Sequence, residues 1–115
     1  GQMREVLAGT QRVVVGRLYD GTVVAFACRC PHEAAPLVQG TIRGGSIDCA
    51  RHHYMFDVHT GENTFPLPIY PGWKRAQVGD LRLPIFPVIE RDGWIAVEPQ
   101  PYEGGGSMTA NKIRS

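Results

Sequence analysis

Apolar and polar positions along the chain fall into short β-type runs, not helical stripes. Arg12 to Leu18 (RVVVGRL) and Thr22 to Ala27 (TVVAFA) are β-branched runs separated by Tyr19, Asp20 and Gly21, the pattern of two strands joined by a tight hairpin. Leu83 to Glu90 (LPIFPVIE) and Trp94 to Val97 (WIAV) flank Arg91, Asp92 and Gly93 in the same way. Pro84 and Pro87 donate nothing to a ladder and place the first of these strands at an edge or a bulge. No stretch carries a sustained apolar period of 3.6 and no internal repeat is visible, which predicts an all-β domain.

Between the hairpins the pattern changes. From Cys28 to Pro68 the chain holds all three Cys and all four His, with Pro31, Pro36, Gly40, Gly44, Gly45 and Gly61 setting frequent turns. This reads as a loop-built site inserted into a strand scaffold. Ile69 to Leu81 (IYPGWKRAQVGDL) then forms a long loop whose Tyr70 and Trp73 either anchor a partner or pack back onto the domain.

Composition narrows the class. A chain of 115 residues and 12.7 kDa is one domain, with Gly and Pro together supplying a fifth of it. Twelve Lys and Arg against eleven Asp and Glu give a net charge of +1, without the basic block that a nucleic-acid or membrane-surface partner requires. No apolar run approaches the roughly 18 residues of a membrane span and no signal-peptide pattern opens the chain, so the expected location is the cytoplasm. Three cysteines, an odd count, are too few for a disulfide framework and read as ligands or buried thiols.

Cys30-Pro31-His32, sixteen further residues and then Cys49-Ala50-Arg51-His52 decide between these. Each loop offers one thiolate and one imidazole. Such a set suits zinc or an iron–sulfur cluster, but zinc fingers usually pair two Cys in one loop and two His in the other. Mixed loops fit a [2Fe-2S] cluster with one iron on two Cys and the other on two His.

In this motif, C-x-H-x16-C-x-x-H, the chain resembles the Rieske ferredoxins. The flanks agree: Pro36-Leu37 and Gly40, Ile47-x-Cys49, Phe56-Asp57-x-x-Thr60-Gly61, Pro66, Phe86-Pro87-Val88 and Asp92-Gly93 are all similar to that family. The resemblance covers residues 2 to 98. It implies stacked antiparallel sheets with a cluster-binding subdomain at about 28–68, one [2Fe-2S] cluster per chain, and Cys30, His32, Cys49 and His52 as its four ligands. Cys28 then reads as a small buried hydrophobe, His53 and His59 as solvated loop residues, and Pro66 as the proline that covers the cluster. Arg29, Arg43 and Arg51 form either a positive rim or plain solvated surface. High-potential relatives carry a disulfide and Ser and Tyr hydroxyls beside the cluster. Here those positions hold Ala35 and Arg51, and Tyr54 and Phe56, which implies a low potential for the class.

The resemblance implies a one-electron carrier, not an enzyme, monomeric in the free state. Its expected partners are an NADH-dependent flavin reductase and the hydroxylase component of an oxygenase. A complete Rieske oxygenase needs a second iron with two more His and a carboxylate, and only His53 and His59 remain. The stretch Cys49 to Phe56 is most similar to ferredoxins of di-iron toluene and alkene monooxygenases. Ferredoxins of ring-hydroxylating dioxygenases are the alternative, ahead of a nitrite reductase small subunit or a zinc-stabilised module. Family members open with a strand before the segment matching Gly1 to Val6. Gly104 to Ser107 reads as a linker and residues 108–115 as that strand relocated by circular permutation, with Asn111 to Arg114 paired within the domain and Ile113 turned inward.

Overall fold

β-branched side chains set the central layer of the domain. In the computed structural model, which describes residues 2–31, 34–51, 53–78, 82–101 and 111–114, strands β1 (Met3–Ala8), β2 (Gln11–Arg17) and β3 (Val23–Ala27) form an antiparallel meander. The expected first hairpin is present, in the register Arg17 to Val23 and Val13 to Ala27. Asp20 accepts the Thr22 N–H at 2.9 Å, and these bonds hold its carboxyl below the usual carboxylate range. Alternation along β2 and β3 serves two cores at once. Val14, Val24 and Phe26 pack into one cluster with Leu37, Ile47, Cys30 and Cys49. Val13, Val15 and Ala25 pack into another with Phe86, Ile95 and Val97. A sheet apolar on both faces is the middle of a stack.

The second hairpin differs from expectation in one respect. Leu83 to Glu90 is not one strand: β8 (Ile85–Phe86) pairs with β3, and β9 (Val88–Arg91) pairs with β10 (Trp94–Val97) in another sheet. Pro87, lacking an N–H, sits at the break and lets the chain change sheets; its carbonyl accepts the Glu98 N–H at 3.0 Å. The two sheets are also tied by a two-point ion pair, Arg17 Nη1 and Nη2 donating to the Glu90 carboxylate at 3.0 and 2.5 Å, and this bonding raises the Arg17 pKa. A strand does form near the C-terminus. β11 (Asn111–Arg114) pairs antiparallel with β10, Val97 opposite Asn111 and Trp94 opposite Arg114. The expected linker at 104–107 and the side chain of Ile113 lie outside what is described.

The segment at 28–68 is more than loops. It contains a third sheet of three-residue strands, β4 (Thr41–Arg43), β5 (Ser46–Asp48), β6 (Met55–Asp57) and β7 (Asn63–Phe65), in sequential order. Strands this short carry too few positions for a period to show. The predicted long loop likewise holds a seven-residue helix, α1 (Gly72–Val78), on which Trp73 stays 67% exposed. Deleting residues 108–115 strips β11 from β10 and leaves an open edge. The expected result is a melting temperature lower by about 5 °C or more, read by circular dichroism.

Candidate metal centre

The two cysteine loops are the same turn built twice. Cys30 donates its N–H to the Ala35 carbonyl at 2.9 Å, and Cys49 donates its own to the Tyr54 carbonyl at 2.8 Å. Ala34 N–H returns to the Cys30 carbonyl at 2.7 Å, and His53 N–H to the Cys49 carbonyl at 2.9 Å. The fourth residue after each cysteine, Ala34 or His53, takes a left-handed φ of 56° or 59°. Each turn thus satisfies the N–H and C=O of its own cysteine, which is buried, 1% exposed for Cys30 and 0% for Cys49.

Both thiols lie in one core cluster with Leu37, Ile47 and Phe56. Cys28 also packs against that cluster but is only partly buried. It begins no such turn, and its carbonyl accepts the Leu37 N–H at 2.9 Å. His32 and His52, the other two expected ligands, lie outside the described residues. Two buried cysteines at equivalent places on matched turns fit a centre that draws one sulfur ligand from each loop.

Around these turns the motif residues have distinct jobs. Gly40 approaches β5 so closely that a β-carbon there would lie 2.3 Å from the Asp48 carbonyl oxygen. Asp57 accepts the N–H groups of His59 and Thr60 at 2.7 and 3.0 Å and shapes the turn into Gly61, whose φ is +81°. Pro66 is buried after a cis Phe65–Pro66 peptide, and Leu67 N–H is held by the Asn63 side chain at 2.9 Å. His59 is exposed, as expected. The three arginines are not equivalent: Arg43 Nε binds Asp48 at 2.9 Å, Arg29 Nη1 reaches the Ala34 carbonyl at 3.4 Å, and Arg51 is exposed.

Two contacts had no signal in the sequence. His53, expected to be only solvated, places Nδ1 3.1 Å from Asp48 Oδ1, and the hydroxyls of Tyr54 and Tyr70 meet at 3.0 Å. The second contact joins the cysteine turn to the segment leading into α1, where Lys74 Nζ lies 4.2 Å from the Tyr70 ring centroid.

Comparison with known proteins agrees with this arrangement. The model of the Rieske [2Fe-2S] domain matches residues 1–68. The chain belongs to the Rieske [2Fe-2S] domain family, and its cofactor is a Rieske-type cluster. Apoptosis-inducing factor 3 of Mus musculus is 38% identical over 72 residues, 63% of this chain and 11% of that protein. The chain therefore spans about a tenth of that relative's length. Among solved structures, a similar protein is the ferredoxin of carbazole 1,9a-dioxygenase from Nocardioides aromaticivorans IC177. It is 27% identical with a TM-score of 0.69, covering 87% of this chain and 86% of that one. A complex of reduced oxygenase and oxidised ferredoxin in carbazole 1,9a-dioxygenase contains a chain 26% identical, with a TM-score of 0.66, covering 88% of this chain and 83% of that one.

The packing at Gly40 makes a sharp test of how this Rieske domain is built. Gly40→Ala is expected to cost about 2 kcal/mol or more in chemical denaturation, whereas Gly45→Ala, with open space around its β-carbon, should stay within about 0.5 kcal/mol of the parent.

Proposed function

We propose that Cys30, His32, Cys49 and His52 hold one [2Fe-2S] cluster, and that the chain carries single electrons from an NADH-dependent flavin reductase to an oxygenase component. The observation that supports this most is the pair of matched turns, each beginning at a buried cysteine. Similarity over more than four fifths of a solved ferredoxin adds to it. When bound, the cluster supplies one-electron redox chemistry. The residues of the chain keep the thiolates dry, fix the turns and present a surface to other proteins.

The choice of oxygenase has support on two sides. The stretch from Cys49 to Phe56 favours a di-iron toluene or alkene monooxygenase. The similarity to a carbazole 1,9a-dioxygenase ferredoxin favours a ring-hydroxylating dioxygenase. Mixing the reduced protein with purified hydroxylases of both classes separates the readings: the true partner reoxidises it rapidly and in a saturable way. The pairing of β11 with β10 supports the relocated-strand reading of residues 108–115.

Two measurements follow. Cys30→Ser or Cys49→Ser should remove nearly all iron and sulfide, and His32→Cys or His52→Cys should change or abolish the Rieske spectrum. Cys28→Ser should retain full iron and sulfide; zinc alone in the natively purified parent would contradict the ligand set.

The second measurement is the midpoint potential. Ala35 and Arg51 cannot form the bracing disulfide, the Tyr54 hydroxyl meets Tyr70, and Phe56, fully buried, has no hydroxyl to offer. Voltammetry should therefore place the midpoint near the lower end of the roughly −150 to +300 mV Rieske range. A strongly positive value would contradict the argument from these four residues.

A further inference from the structure

The second cysteine turn is braced by a buried carboxylate. Asp48 ends β5 directly before Cys49 and is 7% exposed, one of two buried polar residues among those described. Each of its two carboxylate oxygens meets a different side chain. Oδ2 accepts from Arg43 Nε on the neighbouring strand at 2.9 Å, and Oδ1 accepts from His53 Nδ1 at 3.1 Å. Arg43 is still 61% exposed in its side chain, so water weakens its hold on the carboxylate and its charge offsets that of Asp48 only in part.

His53 follows His52 and stands at a φ of +59°, a conformation that costs a non-glycine residue on the order of 1–3 kcal/mol. At the matching place in the first turn stands Ala34, φ +56°, whose backbone carbonyl is reached by the exposed Arg29 Nη1 at 3.4 Å instead of its own side chain meeting a buried carboxylate.

We propose that Asp48, supported by Arg43, is a positioning residue for the cluster. Through His53, the residue that follows His52 in the chain, it anchors the closing end of the second cysteine turn, and its buried charge beside Cys49 in the chain disfavours the added electron. The inference rests on Cys49 and His52 being ligands. Groups that orient metal ligands commonly change metal retention by about 10-fold or more when removed. A negative charge in a poorly solvated place lowers the potential of a nearby centre, and a positive charge that offsets it raises that potential.

The experiment uses the full chain with its cluster, comparing the parent with Asp48→Asn, Arg43→Gln and His53→Gly. Three quantities are read: the midpoint potential, the visible dichroism and EPR of the reduced state, and the rate of cluster loss to a chelator. Asp48→Asn should raise the midpoint, shift both spectra and lose its cluster ~10-fold faster. Arg43→Gln should lower the midpoint. His53→Gly relieves the left-handed strain, so it should melt no lower than the parent while changing the spectra and losing cluster faster.

Opposite midpoint shifts in the two charge variants are the signature, since a merely structural brace would not reverse sign. The inference is overturned if Asp48→Asn keeps the parent's midpoint, spectra and loss rate, or if both charge variants shift the midpoint the same way. Should Asp48→Asn fail to fold, Arg43→Gln and His53→Gly decide: the shifts just given support the brace, and parent-like behaviour in both overturns it. Iron and sulfide analysis of the parent separates this from failure of the ligand assignment, because a parent without a [2Fe-2S] cluster removes both.

Discussion

Burying a thiol at the mouth of a loop requires that the loop's own N–H and C=O groups be satisfied without water. Each of the two turns meets this requirement at its cysteine. The cysteine N–H is bound by the carbonyl five residues on, and the cysteine carbonyl by the N–H four residues on. The left-handed residues Ala34 and His53 make that closure geometrically possible. Residues outside the turns help to hold them against one apolar cluster. Gly40 lets the chain pass close against the Asp48 carbonyl, and Asp57 shapes the turn after β6.

The scaffold achieves this with a sheet that is apolar on both faces. The odd-numbered valines of β2 face the β9–β10 layer and Val14 faces the cysteine cluster. One pair of strands therefore joins the two halves of the molecule through packing on both sides. At roughly 25 cal/mol per Å² of apolar surface removed from water, this double burial is a main source of stability. β8 extends the same sheet from β3, and the break at Pro87 lets the chain close the outer layer. β5 runs directly into the second cysteine turn, and β3 ends three residues before Cys30.

How much of this could be read in the sequence depended on the length of each signal. The runs at 12–18 and 22–27 alternate over enough residues to define a hairpin, and the spacing Cys30 to His32 and Cys49 to His52 carries the family by itself. The three-residue strands β4 to β7 do not, because two or three positions cannot establish a period. Helix α1, seven residues or about two turns long, is too short for a 3.6-residue apolar period to repeat, and the split at Pro87 was hidden because a proline marks a break without saying that the strands on either side join different sheets. Asp48 was not visible as part of the site. A charged residue at a strand end reads as solvent-facing, and only the fold brings Arg43 and His53 to its two oxygens. The matched turns themselves arise from backbone hydrogen bonds, which leave no mark in residue types beyond the cysteines that begin them.

The account rests on two loops each giving one thiolate and one imidazole to a single cluster. Pulsed EPR of the dithionite-reduced protein, produced with ¹⁵N-labelled histidine, reads the imidazole half of that claim directly. The account predicts a Rieske-type signal coupled to two distinct histidine nitrogens, both lost from the ¹⁴N pattern on labelling. A reduced cluster without histidine coupling, or no paramagnetic signal from protein that contains only zinc, would contradict it.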